Sequence, residues 1–215
     1  MCGRFSRQVD IPVIAARWHA EPAERTPLHL APNSDTRPRT DIPVIALGAD
    51  RRRKIIMARW GLVPPDSETD KPKFSAINAR ADKLGQAPIW RHPFSRGRTA
   101  LVPANGYYEW AETGTGATQQ YLFRMADSRP FLLAGLWESW RPPAAAVGTP
   151  PLITCTLITV PANQAAAEIH DRMPAIIEDN LAGTWLGEGS EGEAARQDLL
   201  QPYPPGKMQI EPYQP

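Results

Sequence analysis

The 215-residue chain predicts an α+β fold, with bent antiparallel sheets forming an open barrel-like core and short flanking helices, in one domain over 1–215. Three observations lead there. Apolar or alternating runs of strand length recur along the whole chain, whereas helix-length patterns are few and short. The 24 prolines, roughly twice the usual ~5 %, are spread throughout, so they punctuate many short elements rather than mark one linker. The strands differ in length, which favours a sheet that bends or curls over a flat one.

In order, "VDIPVIAARWHA" (9–20) reads as a short helix following the N-terminal segment. "DIPVIALG" (41–48) and "RKIIMARWGLVP" (53–64) read as strands joined by the basic turn "ADRRRK". "PPDSETDKPKFS" (64–75) is polar and loop-like, and "INARADKLGQ" (77–86) begins extended and enters a helix. "RTALVPA" (98–104) and "YYEWAE" (107–112) flank an Asn-Gly turn, which signals a hairpin. "QQYLFRMA" (119–126) and "RPFLLAGLWESW" (129–140) look like a further hairpin pair, followed by the loop "RPPAAAVGTPP". "LITCTLITV" (152–160) is apolar throughout and predicts a strand central in its sheet. "NQAAAEIH" (163–170) predicts a helix that "HDRMP" ends before Pro174, and "EDNLAGTWL" and "EGEAARQDLLQ" predict C-terminal helices.

Composition removes several function classes. No run of about 18 apolar residues exists, so no membrane-crossing helix is expected, and the start of the chain lacks the apolar stretch of a secretory signal. Two cysteines, Cys2 and Cys155, make no disulfide framework, and with four scattered histidines they give no structural zinc site. No metal and no cofactor are expected, and the setting reads as reducing and cytoplasmic, nucleoid-associated if the source is bacterial. The net charge of +1 conceals an asymmetry: residues 1–110 hold 18 Lys+Arg against 11 Asp+Glu, and residues 111–215 hold 6 against 12. Of the 24 basic residues 19 are arginine, which suits bidentate phosphate contacts. One basic face for nucleic acid and a set of solvated surface charges are both compatible with this count.

Four polar stretches carry chemically capable residues beside apolar strands: "MCGRF", "INARAD", "PANGYYEW" and "IHDRMP". The first raises the question of why a cysteine follows the initiator methionine. Aminopeptidases remove methionine before a small residue, which would leave Cys2 with a thiol and an α-amine on adjacent carbons. The amine titrates near ~8 and the thiol near ~8.5, so both are nucleophilic at cellular pH. Together they can trap an aldehyde, the amine as an imine and the thiol by closing a five-membered thiazolidine. The plain alternative is a frayed end. Asn78 is equally a turn cap, His170 a helix-end residue favouring the dipole, and Glu109 either an exposed strand residue or a desolvated acid with a raised pKa.

Taken together the phrases resemble the SRAP (SOS response-associated peptidase) family, which includes proteins that crosslink to abasic sites in DNA. The resemblance rests on Met-Cys-Gly-Arg-Phe at the start, "WGLVP" at 60–64, Asn78-Ala79-Arg80, "PANGYYEW" at 103–110 and "IHDRMP" at 169–174, in family order. It implies an SRAP-like fold and, as partner, single-stranded DNA containing abasic sites, bound by a monomer. It implies that Cys2 captures the ring-opened sugar aldehyde as a thiazolidine, shielding the lesion, with strand cleavage as an associated lyase activity. Glu109 would be the general acid/base, His170 would assist proton transfer and reversal, and Asn78 would orient Cys2 or the sugar. Arg4 and Arg80 would hold phosphates, Pro32 would pack near the bases, Thr159 would sit near the site, and Trp60 and Arg172 would belong to the DNA contact. The segment 65–74 lacks the tryptophan that many members carry there, with Phe74 as its only substitute, and Leu28-His29 replaces the family's Tyr-Asn, so the DNA contacts are expected to differ. Two other functions fit the same residues. One is a thiol peptidase using Cys2, His170 and Asn78, and the other is a non-covalent binder of single-stranded nucleic acid.

Overall fold

In the computed structural model, which describes residues 2–71, 76–114 and 116–214, fourteen strands and four α-helices alternate. The first half runs β1 (Arg4–Arg7), α1 (Ile11–Trp18), β2 (Glu21–Pro22), β3 (Asn33–Thr36), β4 (Asp41–Leu47), β5 (Arg53–Trp60), β6 (Asn78–Arg80) and α2 (Pro88–Ser95). The second runs β7 (Thr99–Ala104), β8 (Gly106–Glu112), β9 (Thr118–Met125), β10 (Phe131–Trp140), β11 (Leu152–Pro161), β12 (Arg172–Pro174), β13 (Ile176–Ile177), α3 (Ala182–Leu186), α4 (Glu193–Asp198) and β14 (Met208–Tyr213).

The larger sheet has the order β12-β11-β10-β7-β4-β5-β2, and a parallel β5–β11 pairing at Arg59/Thr154 and Trp60/Cys155 joins it to itself. Strands β11, β10, β7, β4 and β5 therefore form a closed five-stranded ring, so the barrel-like core expected from sequence has no open seam. Closure removes two unpaired edges from the sheet. As its composition predicts, β11 is central: it pairs with β10, β12, β5 and β6. The smaller sheet, in the order β14-β9-β8-β1-β3, packs its inner face toward the ring. Phe5 and Trp60 meet at 5.4 Å and Tyr107 stacks on Phe123 at 4.6 Å. All four are fully buried, each contributing roughly 2–3 kcal/mol of apolar burial.

Several local expectations yield to these pairings. The Asn105-Gly106 step is not a hairpin: β7 runs between β10 and β4 in the ring, while β8 runs between β1 and β9 in the other sheet. Gly106 is required there by a close approach, because a Cβ would stand 2.9 Å from the Phe123 carbonyl oxygen. Likewise β9 and β10 part to different sheets. Residues 163–170 form a single 3-10 turn at Ala166–Glu168 instead of a helix. Thr159–Pro161 and Arg172–Pro174 pair with each other, so the segment between them must close a hairpin. Asn163 fastens it, accepting from the Ala166 N–H at 2.9 Å and donating to the Tyr203 carbonyl at 2.7 Å. Helix α1 forms as read, with Asp10 capping Ile11 at 2.7 Å and Pro12 in the first turn, where proline is tolerated. The extended start of 77–86 is β6, which turns into a 3-10 element rather than an α-helix. Helix α2 and strand β14 have no counterpart in the sequence reading.

The basic turn at 51–54 is consumed within the fold. Arg53 pairs with Glu188, Arg52 and Lys54 with Glu21, and Arg51 donates to the Gly187 and Glu188 carbonyls. The charge asymmetry between the two halves of the chain is thus partly an internal pairing. None of the described helices is long and apolar enough to cross a membrane.

Candidate active site

The site lies where the two sheets meet at the N-terminal end of β1. Cys2 is fully buried, and its Sγ donates weakly to the Arg4 carbonyl at 3.7 Å. Asn78, first residue of β6, donates its Nδ2 to the Cys2 carbonyl at 2.8 Å. The parallel pairing of β6 with β11, Asn78 opposite Leu157, fixes that amide beside the N-terminal segment. Glu109 stands on β8 and is 2 % exposed. Burial pushes its carboxyl above the ordinary 4.5, while the charge of His170 opposes the shift. Burial likewise pushes the Cys2 thiol far up, and Glu109 adds to it. The two groups are therefore within electrostatic reach of each other, and Glu109 and His170 are as well.

His170 sits in the turn before β12. Its Nδ1 accepts from the Arg172 N–H at 3.0 Å and lies 2.9 Å from Asp171 Oδ1. The fold thus gathers Cys2, Asn78, Glu109 and His170 from the segment before β1, from β6, from β8 and from the β11–β12 turn. A buried acid biased toward its protonated form, beside a nucleophile-bearing residue, is an arrangement suited to proton exchange.

The residues expected to contact DNA divide into two groups. Arg4, Arg80 and Pro32 lie at the surface of this region. Arg4 pairs with Asp35 at 3.1 Å and covers the Trp110 ring at 5.4 Å. Arg80 is half exposed and makes a two-point contact with Asp82 at 3.0 and 2.8 Å, which holds its guanidinium in place. Pro32 is exposed. Trp60 and Arg172 are corrections, and Thr159, in register with Arg80 of β6, lies beside the site but is enclosed. Trp60 is fully buried against Phe5 and donates Nε1 to the Ile77 carbonyl at 2.8 Å, so it is a core residue that anchors the chain just before β6. Arg172 is buried and donates to the Thr159 carbonyl and hydroxyl, so it braces β11 against β12 and is not open to a phosphate. Thr159 has no exposed surface and is Arg172's partner. Phe74 lies outside the described residues.

Three residues that sequence reasoning passed over complete the region. Asp82 and Asp35 orient the surface arginines, and Asp82 was signalled by its spacing from Arg80 in "NARAD". Arg7 is buried and donates to the carbonyls of Val9, Leu30 and Ala31, which fixes the loop that presents Pro32. Nothing local marks Arg7 as different from the exposed arginines around it.

The model of the family described as SOS response associated peptidase (SRAP) matches residues 1–214. The chain belongs to the SRAP family. Among SRAP relatives, the Bacillus subtilis abasic site processing protein YoqW is 33 % identical over 214 residues, covering 97 % of this chain and 90 % of its own. The Bacillus subtilis abasic site processing protein YoaM is 30 % identical, covering 97 % and 89 %. The Gallus gallus abasic site processing protein HMCES is 31 % identical, covering 72 % and 52 %. A crystal structure of a Bacteroides thetaiotaomicron protein has the same fold, with a TM-score of 0.85 at 23 % identity, over 99 % of this chain and 92 % of that one.

Proposed function

We propose that this SRAP protein processes abasic sites in single-stranded DNA by covalent capture through Cys2 after removal of Met1. The observation that carries the reading is the placement of Cys2, whose carbonyl is held by Asn78 and whose neighbour Glu109 is a buried acid with an elevated pKa. The α-amine of Cys2 attacks the C1′ aldehyde carbon of the ring-opened sugar. Protonated Glu109 gives its proton to the departing hydroxyl, water leaves, the remaining proton on nitrogen passes to the Glu109 carboxylate, and an imine forms. The thiol then adds to the imine carbon: a C–S bond forms, the C=N π pair moves to nitrogen, and the thiol proton ends on that nitrogen. One water is released and no redox change occurs. Arg4 and Arg80, each pre-oriented by an aspartate, are suited to the flanking phosphates. The names of the SRAP relatives support abasic sites as the substrate.

A cysteine–histidine peptidase is less well supported. Cys2 Sγ is directed to the Arg4 carbonyl, and His170 Nδ1 is engaged by the Arg172 N–H. The test uses protein whose Met1 removal is verified by intact mass, incubated with a uracil-containing single strand after uracil excision. A slow band on a denaturing gel, absent with intact DNA and absent with Cys2→Ala, is expected. No band despite a free Cys2 terminus would overturn the reading.

A further inference from the structure

We infer that the turn at 37–40, between β3 and β4, is a phosphate-binding arm in which Arg37 and Arg39 hold the bound strand beyond the phosphate that Arg4 serves. This deepens the reading given above and rests on its single-stranded DNA partner. None of the phrases shared with the SRAP family includes the turn. Both arginines are exposed. Asp35 on β3 joins the turn to the site. One of its carboxylate oxygens pairs with Arg4 Nε at 3.1 Å, and the other accepts from Arg37 Nε at 2.8 Å. The two guanidinium groups therefore stand on either side of a single carboxylate. Two positive charges against one negative leave a surplus that a phosphate can meet. Backbone bonds tie the turn to the other side of the site. The Arg39 N–H donates to the Trp60 carbonyl at 2.7 Å, and the Trp60 N–H donates to the Thr40 carbonyl at 3.0 Å. Trp60 in turn donates Nε1 to the carbonyl of Ile77, the residue before Asn78. Within the turn, the Thr40 hydroxyl donates to the Arg37 carbonyl at 2.6 Å.

Arg39 occupies an unusual place for an arginine. Its φ is 68°, in the left-handed region, which strains a residue with a Cβ and which glycine adopts freely. Arg51 has the same conformation, at φ 62°, and shows an internal reason for accepting it: its guanidinium donates to the Gly187 and Glu188 carbonyls at 2.7 and 2.9 Å. The Arg39 guanidinium has no hydrogen bond or ion pair among the described residues. An exposed arginine kept at a strained position, with nothing inside the protein to hold, is accounted for by a contact outside it. The planar, permanently charged fork suits a phosphate diester, and a contact of that kind positions the strand without reading its bases.

The experiment measures binding of an intact, fluorescein-labelled single strand of about fifteen nucleotides by anisotropy over a range of salt, so that covalent capture does not enter. Crosslinking of the matching abasic strand by the same Met1-free proteins is read in parallel. Arg37→Gln and Arg39→Gly are each expected to lower the slope of log affinity against log salt by about 0.7, the value for one single-strand phosphate, and the double variant by about 1.4. Arg39→Gly is expected to keep or raise the melting temperature, because the strain leaves with the side chain. Arg37→Lys, which keeps the charge, is expected to keep the slope. Arg51→Gly is the matched control: it also loses one positive charge at a left-handed position, and it is expected to leave the slope unchanged. Wild-type slopes in Arg37→Gln and Arg39→Gly would overturn the inference and leave the Cys2 reading standing. An equal fall in Arg51→Gly would overturn it in favour of an effect of net charge. A wild-type protein that binds the intact strand through these arginines but forms no abasic crosslink would remove the Cys2 reading and leave the arm in place. A wild-type protein that binds no single strand would remove both.

Discussion

Cys2 and Cys155 are both free thiols, both closed off from water, and both pushed far above the ordinary thiol range by burial. Their surroundings differ. Cys155 lies mid-strand on β11, opposite Trp137 on β10 and Trp60 on β5, inside the closed ring. Cys2 lies at a chain end where the sheets meet, beside Glu109 and under Asn78. Burial is therefore not what would separate an inert thiol from the reactive one proposed for this protein. The difference is a neighbour that can exchange a proton, together with an α-amine that processing can expose on the same residue.

The comparison is broken most sharply by exchanging the cysteines' fates. Cys2→Ala is expected to reduce gel-stable crosslink on abasic single strands to background, whereas Cys155→Ala retains the wild-type rate. A crosslink surviving in Cys2→Ala and lost in Cys155→Ala would invert the assignment. Removing the proton-exchanging neighbour comes next. Glu109→Gln is expected to slow crosslinking by roughly 10²–10⁴-fold, the range for loss of a general acid, read as band intensity against time. The same variant has a stability signature. The folded pKa of Glu109 lies above 4.5, so stability from its protonated form is complete below that pH and is lost as pH rises through the folded value. Glu109→Gln should therefore melt higher than wild type at neutral pH, by roughly 2–4 °C per kcal/mol, with the gain disappearing below pH 4.5. A third test asks whether the polar surroundings of Cys2 extend to DNA. Arg80→Ala should flatten the salt dependence of single-strand binding, measured by anisotropy, by about one phosphate contact. Arg53→Ala, which loses its pairing with Glu188, should not change that slope. The smallest effect is on packing: Cys155→Ala should cost about 1 kcal/mol in denaturant unfolding, the usual scale for a small buried truncation.

How far the sequence foretold this molecule depended on whether the deciding contact was local. Cys2, Asn78, Glu109 and His170 each have an ordinary structural reading taken singly, and were singled out because their phrases together, in order, resemble the SRAP family. The 41–60 hairpin and the central β11 were legible because alternation and uniform apolarity follow directly from how a strand is buried. Asn105-Gly106 misled because its hairpin signal is a property of two residues, whereas the glycine answers to Phe123 on another strand. The alanine-rich 163–170 has helix propensity, but pairing of its flanks leaves room only for a turn. Trp60 and Arg172 were placed at the DNA because tryptophan and arginine recur at such surfaces. Only the three-dimensional pairing of β5 and β12 with β11 shows that they are enclosed. Strand β14 was missed because "MQIEPY" carries a proline and a charge, both tolerated at an edge such as this one.

The antiparallel order β14-β9-β8-β1 aligns Glu211 with Leu122, Leu122 with Tyr108 and Tyr108 with Arg4. Arg4 and Glu211, near the two ends of the described chain, consequently fall in one row across the sheet, three strand spacings or about 14 Å apart. A linker of about five or six residues could join them, and the exposed 141–150 loop offers a new opening between β10 and β11. Such a circular permutant would keep every native strand pairing while embedding Cys2 in mid-chain without an amino terminus. Its folding and its reactivity would then part company, since the scaffold is indifferent to where the chain is cut and the proposed chemistry is not.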